Sequence, residues 1–328
     1  MLTKIAENIY KKEIPLPENP LRYINVYIIK GEEKTLVVDT GFNRPECEAA
    51  LMEALAELGV QEADLFITHL HSDHCGLISK YGDMGWTIYA GETDGELMNF
   101  EAGNLYWRML DDLFIKFGFP KADFGRNTDI HPGRTWCHPH PVKFTYVKDG
   151  DVLKYGGYEF RVIETPGHTP GHMCLYDEAN RRLICGDHIL GLITPNITIE
   201  LSLENPLQAY LESLAKVDRL EVEELLTTHG IPVDDMHQRI KELYHHHEVR
   251  LAEVVTILGD QWKTAYETAR DMTWEIDCRN WDEFPAPQKW FATGEAISHL
   301  QYLFFTGKVE REERDGIYRY RNLKAAQG

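Results

Sequence analysis

Four side chains that can bind a divalent metal lie within six positions of this sequence: His69, His71, Asp73 and His74. The apolar run at residues 65–67 predicts a short buried strand, so these side chains follow its end in a loop. Neutral imidazole nitrogens and carboxylate oxygens are ligands that zinc and similar metals prefer, and a catalytic site leaves one position open for water. One histidine could serve only as a helix cap, but four polar groups packed this closely need a partner such as a cation.

Three later segments of the chain also place a histidine or an aspartate after a predicted strand. His168 lies in the run Thr-Pro-Gly-His-Thr-Pro-Gly-His at residues 165–172, where prolines and glycines forbid regular structure and hold a histidine rigidly at a strand end. Asp187 and His229 each follow a short apolar run that predicts a strand.

The pattern His-x-His-x-Asp-His at residues 69–74 resembles the signature of the metallo-β-lactamase superfamily of hydrolases, and the later segments resemble its further ligand segments in the same order. The resemblance implies an α/β fold, an αββα sandwich, over residues 1–235. It also implies two metal ions with one bridging carboxylate. The implied ligands are His69, His71 and His168 for one metal, Asp73, His74 and His229 for the other, and Asp187 between them. His172 is then a structural or supporting group, and His188 has no ligand counterpart.

Two strands at residues 23–29 and 35–39, joined by a polar turn, predict a hairpin. It ends in Asp39-Thr40-Gly41, which resembles the Asp-Thr-Gly of the same superfamily, where the aspartate supports the metal loop. A carboxylate bonded to a ligand histidine would select its tautomer and raise its basicity. The alternative is a simple turn aspartate.

The ligand set favours two zinc ions, although iron and manganese accept the same ligands. Two metals that share a water lower its pKa towards ~7 and supply hydroxide to attack a carbonyl, while Asp73 can orient the nucleophile or handle the proton. The predicted reaction is cleavage of an acyl bond in a small molecule: a thioester, as in hydroxyacylglutathione hydrolases, an ester or a lactone. Cys75 is interpreted as a neighbour of the ligands and not as a nucleophile. Alternatives are a mononuclear iron persulfide dioxygenase, a nucleic-acid-processing enzyme and a metal-stabilised binding module.

The composition restricts the partners. Lys and Arg number 34 against 53 Asp and Glu, giving a net charge of −19, and a field of that sign repels nucleic acid and anionic membranes. The six cysteines are scattered without a Cys-x-x-Cys pair, and no apolar run approaches about 18 residues. These features favour a cytoplasmic protein that acts on a small-molecule substrate, with neither nucleic acid nor membrane as a partner.

Residues 92–145 predict a helical, aromatic-rich insertion. It is interpreted as a lid or wall over the metal site, with extra core or a dimer contact as the alternative. Specificity is assigned to this insertion, to the loop at residues 192–196 and to the tail, but no motif identifies substrate-binding residues. The histidines of the same insertion, His131, His138 and His140, lie in a Pro-rich loop with Cys137, where a second metal site is disfavoured.

Residues 236–328 predict a second, mostly helical domain that ends in a hairpin around Asp315-Gly316. The helix at residues 294–303 and this hairpin resemble a winged-helix module, which in several hydrolases of the superfamily packs against the site or builds a dimer. Residues 294–305 contain no Lys or Arg, which disfavours DNA recognition, and a homodimer is a further expectation. The histidines at 245–247 point about 100° apart on a helix and cannot share one metal, so they are expected on a solvated or substrate-facing surface.

Overall fold

The computed structural model describes residues 2–124, 131–276 and 278–323. Its first sheet has seven strands whose spatial order follows the chain: β1 (Leu2–Ala6), β2 (Ile9–Pro15), β3 (Tyr23–Ile29), β4 (Leu36–Val38), β5 (Asp64–Phe66), β6 (Ile88–Gly91) and β7 (Phe144–Val147). Strands β1 to β4 are antiparallel, and β4 to β7 are parallel. The predicted hairpin is confirmed as the antiparallel pair β3 and β4.

The second sheet has five strands: β8 (Val152–Tyr155), β9 (Tyr158–Glu164), β10 (Met173–Asp177), β11 (Arg182–Ile184) and β12 (Glu224–Leu226). Their spatial order is β12-β11-β10-β9-β8, and only β11 and β12 pair in parallel. The predicted ligand segments directly follow β5, β9, β11 and β12. The two sheets thus bring four strand ends from distant parts of the chain to one place.

The described helices cover the outer faces of the sheets or form the tail. They are α1 (Pro45–Glu57), α2 (Ser72–Cys75), α3 (Ile78–Asp83), α4 (Glu92–Glu101), α5 (Asn104–Lys116), α6 (Pro132–Trp136), α7 (Pro206–Val217), α8 (Met236–Leu258), α9 (Ala265–Asp271) and α10 (Ala286–Phe305). Capping residues explain where two of these helices begin. The side chains of Asn205 and Asp235 cap α7 and α8 by accepting the backbone N–H of Gln208 and Gln238. The predicted ligand loop is in part wrong, since Asp73 and His74 lie in the short helix α2.

Side-chain alternation along the strands builds four layers. In β3, Tyr27 and Ile29 belong to a buried cluster shared with β9 and β10 of the second sheet, whereas Val26 and Ile28 belong to a cluster shared with α1. A third buried cluster joins the outer face of the second sheet to α7 and α8. The predicted αββα sandwich is therefore confirmed.

The tail packs on the rest of the chain through the predicted insertion. The ring of Phe114 in α5 stacks on Trp290 in α10, with centroids 4.4 Å apart and planes inclined by 11°. One hydrophobic cluster runs from the first sheet through α5 to α9 and α10. The insertion therefore contributes core packing.

The predicted hairpin at the end of the chain is confirmed as β13 (Val309–Arg314) and β14 (Ile317–Asn322). Its two turn residues, Asp315 and Gly316, have φ values of 54° and 76°, the left-handed conformations that a tight two-residue turn requires.

The expectation that His247 lies on a solvated or substrate-facing surface is wrong. The side chain is buried between α8 and α10, where its Nδ1 lies 3.2 Å from Nε2 of His299.

Two further features of the sequence have structural counterparts. All six cysteines are free thiols. In the part of the chain that the structure describes, no helix is both long and apolar enough to cross a membrane.

Candidate metal centre

All of the predicted ligands converge at the strand ends of the two sheets. Their ligand atoms form three overlapping groups, and within each group all atoms lie within 4.8 Å of one another. The groups are His69, His71 and His168; His69, His74 and Asp187; and Asp73, His74 and His229. The candidate centre is thus assembled from four segments that are remote in the sequence.

The spacing within these groups suits tetrahedral metal coordination. Two nitrogen ligands at about 2.05 Å from one tetrahedral ion lie roughly 3.3 Å apart. Nε2 of His69 lies 3.1 Å from Nδ1 of His71, and Nε2 of His74 lies 3.3 Å from Nε2 of His229. Nε2 of His168 is buried and has no hydrogen-bond partner among the described residues, which is costly unless a cation accepts its lone pair. The donor set therefore fits divalent metal ions.

Asp187 lies between two halves of this centre, one formed by His69, His71 and His168 and the other by Asp73, His74 and His229. One of its oxygens is 3.4 Å from Nε2 of His74, and the other is 3.6 Å from Nε2 of His168. On the other side, Oδ2 of Asp73 lies 3.3 Å from Nε2 of His229. The carboxylate of Asp187 can therefore contribute one oxygen to each half of the centre.

Backbone carbonyls orient two of the candidate ligands. Nδ1 of His168 lies 2.8 Å from the carbonyl oxygen of Asn196, and Nδ1 of His229 lies 3.1 Å from that of Tyr23. Because a carbonyl only accepts, each histidine carries its proton on Nδ1 and presents the Nε2 lone pair to the centre. Sequence reasoning missed Asn196 and Tyr23, because a backbone carbonyl leaves no signal in residue type.

Asp39 supports a third imidazole, that of His74. Its Oδ2 lies 2.8 Å from Nδ1 of His74, and its Oδ1 accepts the backbone N–H of Thr68 at 2.8 Å. The hydroxyl of Thr68 also lies 3.0 Å from Nδ1 of His69. Asp39 is fully buried and has a φ of 64°, a left-handed conformation that is unusual for aspartate. The end of β4 is thus tied to the ligand segment after β5.

His172 holds Asp187 in place without reaching the candidate ligand groups. Its Nε2 accepts the backbone N–H of Asp187 at 3.2 Å, and its Nδ1 lies 2.8 Å from the hydroxyl of Thr165. Thr228 adds a hydrogen bond from its hydroxyl to Oδ1 of Asp187. His188 lies outside the groups, with its ring centroid 5.3 Å from that of Tyr210.

The electrostatics differ between the two halves. Burial lowers the pKa of His71 to about 3 and that of His69 well below its usual value, so these imidazoles are neutral, as metal ligands must be. Burial alone would also lower the pKa of His74, but nearby carboxylates, Asp187 foremost, raise it well above the usual value. Burial opposes ionisation of Asp73, yet His74 and His229 bring its pKa to about 2. The half around His69 therefore consists of neutral imidazoles, whereas carboxylates dominate the electrostatics around His74.

The three histidines of the insertion, residues 92–145, do not come together in one site. Nδ1 of His131 accepts the backbone N–H of Gly133, and Nδ1 of His138 lies 3.1 Å from the carbonyl oxygen of His140. Nε2 of His140 lies 3.1 Å from Asp83. Within the described ranges, none of these histidines belongs to a group that could hold a metal.

A cavity of about 220 Å³ opens beside the candidate ligands. His71, Asp73, His168 and Asp187 lie on one side of it. Its other walls come from the insertion, from residues 190–200 and from Trp290 and Phe291 of the tail. The insertion therefore forms a wall of the cavity as well as part of the core.

Gly167 lets the segment before His168 pass close to α7. Its φ is 140°, and a Cβ there would lie 2.4 Å from the Cα of Tyr210. We expect Gly167→Ala to lower the free energy of unfolding by about 3 kcal/mol, from backbone strain together with the backbone clash. Gly157→Ala is the control, because its φ of 89° is also left-handed but nothing lies within 4 Å. Equal losses in urea unfolding would contradict the steric explanation.

Two sheets packed face to face, helices on their outer faces and a His/Asp cluster at the strand ends define a metallohydrolase-type scaffold. The family model described as "Metallo-beta-lactamase superfamily" matches residues 19–229. This chain therefore belongs to the metallo-β-lactamase superfamily. A second model, "Metallo-beta-lactamase-like, C-terminal domain", matches residues 251–323.

Individual proteins resemble most of the chain. The "Probable metallo-hydrolase YqjP" of Bacillus subtilis is 26% identical over 263 residues, which cover 75% of this chain and 79% of that protein. The crystal structure of the metallo-beta-lactamase family protein TTHA1429 from Thermus thermophilus is 30% identical, with a TM-score of 0.83, and covers 97% of this chain and 100% of that one. A beta-lactamase domain protein from Burkholderia ambifaria is 25% identical, with a TM-score of 0.77, and covers 98% and 94%. The likeness thus includes the tail.

Proposed function

We propose that this protein is a hydrolase with a binuclear metal centre that cleaves an acyl bond of a small molecule. The observation that carries the proposal is the position of Asp187, whose two oxygens face imidazoles of different halves at 3.4 and 3.6 Å. A mononuclear iron dioxygenase needs only one half, so the presence of both favours the binuclear hydrolase. The named likeness to a probable metallo-hydrolase agrees with the broader class.

In this proposal His69, His71 and His168 would hold one metal, Asp73, His74 and His229 would hold the other, and Asp187 would contribute a carboxylate to both. Bound divalent ions, zinc in our proposal with iron or manganese as alternatives, would supply an activated water and polarise the carbonyl under attack. Asp73 lines the cavity beside the other candidate ligands, so it could orient the nucleophile or handle the proton. Asp39 and His172 keep the ligands and the bridge oriented.

A thioester, ester or lactone suits the cavity. Its volume of about 220 Å³ is below the roughly 300–1,000 Å³ of most ligand pockets, which favours a small acyl group. Nucleic acid remains disfavoured by the net charge of −19. We also propose that the tail from residue 236 is a winged-helix-like domain, and that the homodimer expected from it can be tested by the mass of the protein in solution.

Metal content tests the proposal directly. We expect about two zinc equivalents per chain after purification without added metal, and metal-dependent hydrolysis on a panel of thioesters, esters and lactones. Chelation should abolish hydrolysis, and added zinc should restore it, because the histidines and carboxylates of the centre remain intact. One iron per chain with oxidation of persulfides would favour the dioxygenase instead. Metal binding without any turnover would favour a binding module.

A further inference from the structure

Two buried glutamates lie on the wall of the same cavity, outside the candidate metal centre. Glu101 at the end of α4 and Glu200 in the loop before α7 are only 3% and 5% exposed. The hydroxyl of Tyr106 donates to Oε2 of Glu200 at 2.7 Å. Among the residues that the structure describes, Oε2 of Glu101 has no hydrogen-bond partner. A buried carboxyl oxygen in that situation is costly unless a ligand satisfies it.

A neighbouring carboxylate shows what a purely structural acid looks like in this fold. Asp94 accepts three hydrogen bonds, from the backbone N–H groups of Leu70 and Gly171 and from the hydroxyl of Thr169. Glu101 lacks such a set of donors. Among the described residues that line the cavity, Glu101 is therefore an acid that keeps a buried oxygen without a partner.

Among the described residues, neither Glu101 nor Glu200 forms an ion pair with Lys or Arg. Burial raises the pKa of Glu101 well above its usual value, with the charges of Glu200 and Asp94 adding to the effect, and burial raises the pKa of Glu200 to about 7. A cation placed between the two carboxyl groups would relieve both the burial cost and their mutual repulsion.

The remaining wall of this part of the cavity is aromatic. Trp107 and Trp290 line it together with His131, whose ring centroid lies 5.4 Å from that of Trp107 and 4.6 Å from that of Trp290. Aromatic faces attract a cation held within about 6 Å of the ring centre, especially in a desolvated site. Carboxyl groups together with aromatic rings favour an ammonium group over a neutral amide.

We propose that Glu101 and Glu200 bind an ammonium group of the substrate while the candidate metal centre engages its acyl bond. Only the engagement of the acyl bond by the metal centre rests on the proposed function; binding of the ammonium group does not. The substrate class is then an acyl compound that carries a protonated amine. Because α4 and Trp290 belong to the insertion and the tail, both additions to the sandwich would serve recognition of this group.

Binding of n-butylammonium, compared with the neutral n-pentanol of similar length, tests the proposal on the full chain as purified, whatever its metal content. Tryptophan fluorescence can report binding, since Trp107 and Trp290 line the cavity. We expect the ammonium ion to bind roughly tenfold more tightly than the alcohol, the effect of one charge-assisted hydrogen bond. Glu101→Gln and, separately, Glu200→Gln should remove most of that preference while preserving side-chain size.

Glu96→Gln provides the matched control, because Glu96 lies exposed on the same helix as Glu101. An equal loss of preference in Glu96→Gln would reduce the effect to surface charge and overturn the proposal. Equal binding of n-butylammonium and n-pentanol by the unmodified protein would overturn it as well. The binding measurement needs no turnover, so it can be made on protein that holds no metal or shows no hydrolysis. Absence of metal or of hydrolysis would reject the proposed function but would not decide whether the two glutamates bind an ammonium group.

Discussion

Asp187→Ala is expected to reduce the metal content below two equivalents and to lower acyl-bond hydrolysis by about 10³-fold or more. The variant removes the carboxylate whose oxygens lie 3.4 Å from His74 and 3.6 Å from His168, so nothing offsets the repulsion between two bound cations. Metal ions contribute several kcal/mol of charge stabilisation in such reactions, and each 1.36 kcal/mol corresponds to tenfold in rate. Metal analysis and initial rates on the same preparation measure both effects.

Two matched variants separate the charge of Asp187 from its packing. Asp187→Asn keeps the shape of the side chain and an oxygen that can accept from Thr228, so its loss of metal would report the missing charge. Asp260→Ala removes an exposed carboxylate and should leave metal content and activity unchanged. Two metals and undiminished hydrolysis in Asp187→Ala would eliminate the bridging role.

Phe114→Ala is expected to lower the free energy of unfolding by about 3–5 kcal/mol. The side chain is fully buried and stacks on Trp290 at 4.4 Å, so its removal leaves a cavity where the insertion meets the tail. The midpoint of urea unfolding should fall while its slope stays unchanged, as for a two-state loss of stability.

Leu105→Ala is the matched control for Phe114→Ala. Leu105 lies on the same helix but is 50% exposed, so its truncation should change the free energy of unfolding by less than about 1 kcal/mol. If α5 were only a mobile lid, Phe114→Ala would alter turnover and leave global unfolding unchanged. That outcome would contradict the shared core.

The candidate ligands could be predicted from sequence because they lie in short motifs at the ends of apolar runs. The segment containing His69 and His74 combines ligand chemistry and strand position within a few residues, so local spacing alone identified it. The same local reasoning failed for His247. Adjacent positions on a helix face different surroundings, and only the packing of α8 against α10 decides which of them is buried.

From the sequence alone, the cluster at residues 69–74 and the resemblance of its motifs to the metallo-β-lactamase superfamily implied the fold class and the order of candidate ligands, because residue type and spacing within a short motif are visible along the chain. Only the tertiary structure decided what surrounds them. The carbonyl oxygens of Tyr23 and Asn196 orient two imidazoles, yet every residue has a carbonyl. Glu101 and Glu200 look like ordinary surface acids in the sequence, and they become a candidate subsite only because packing buries both on the wall of one cavity.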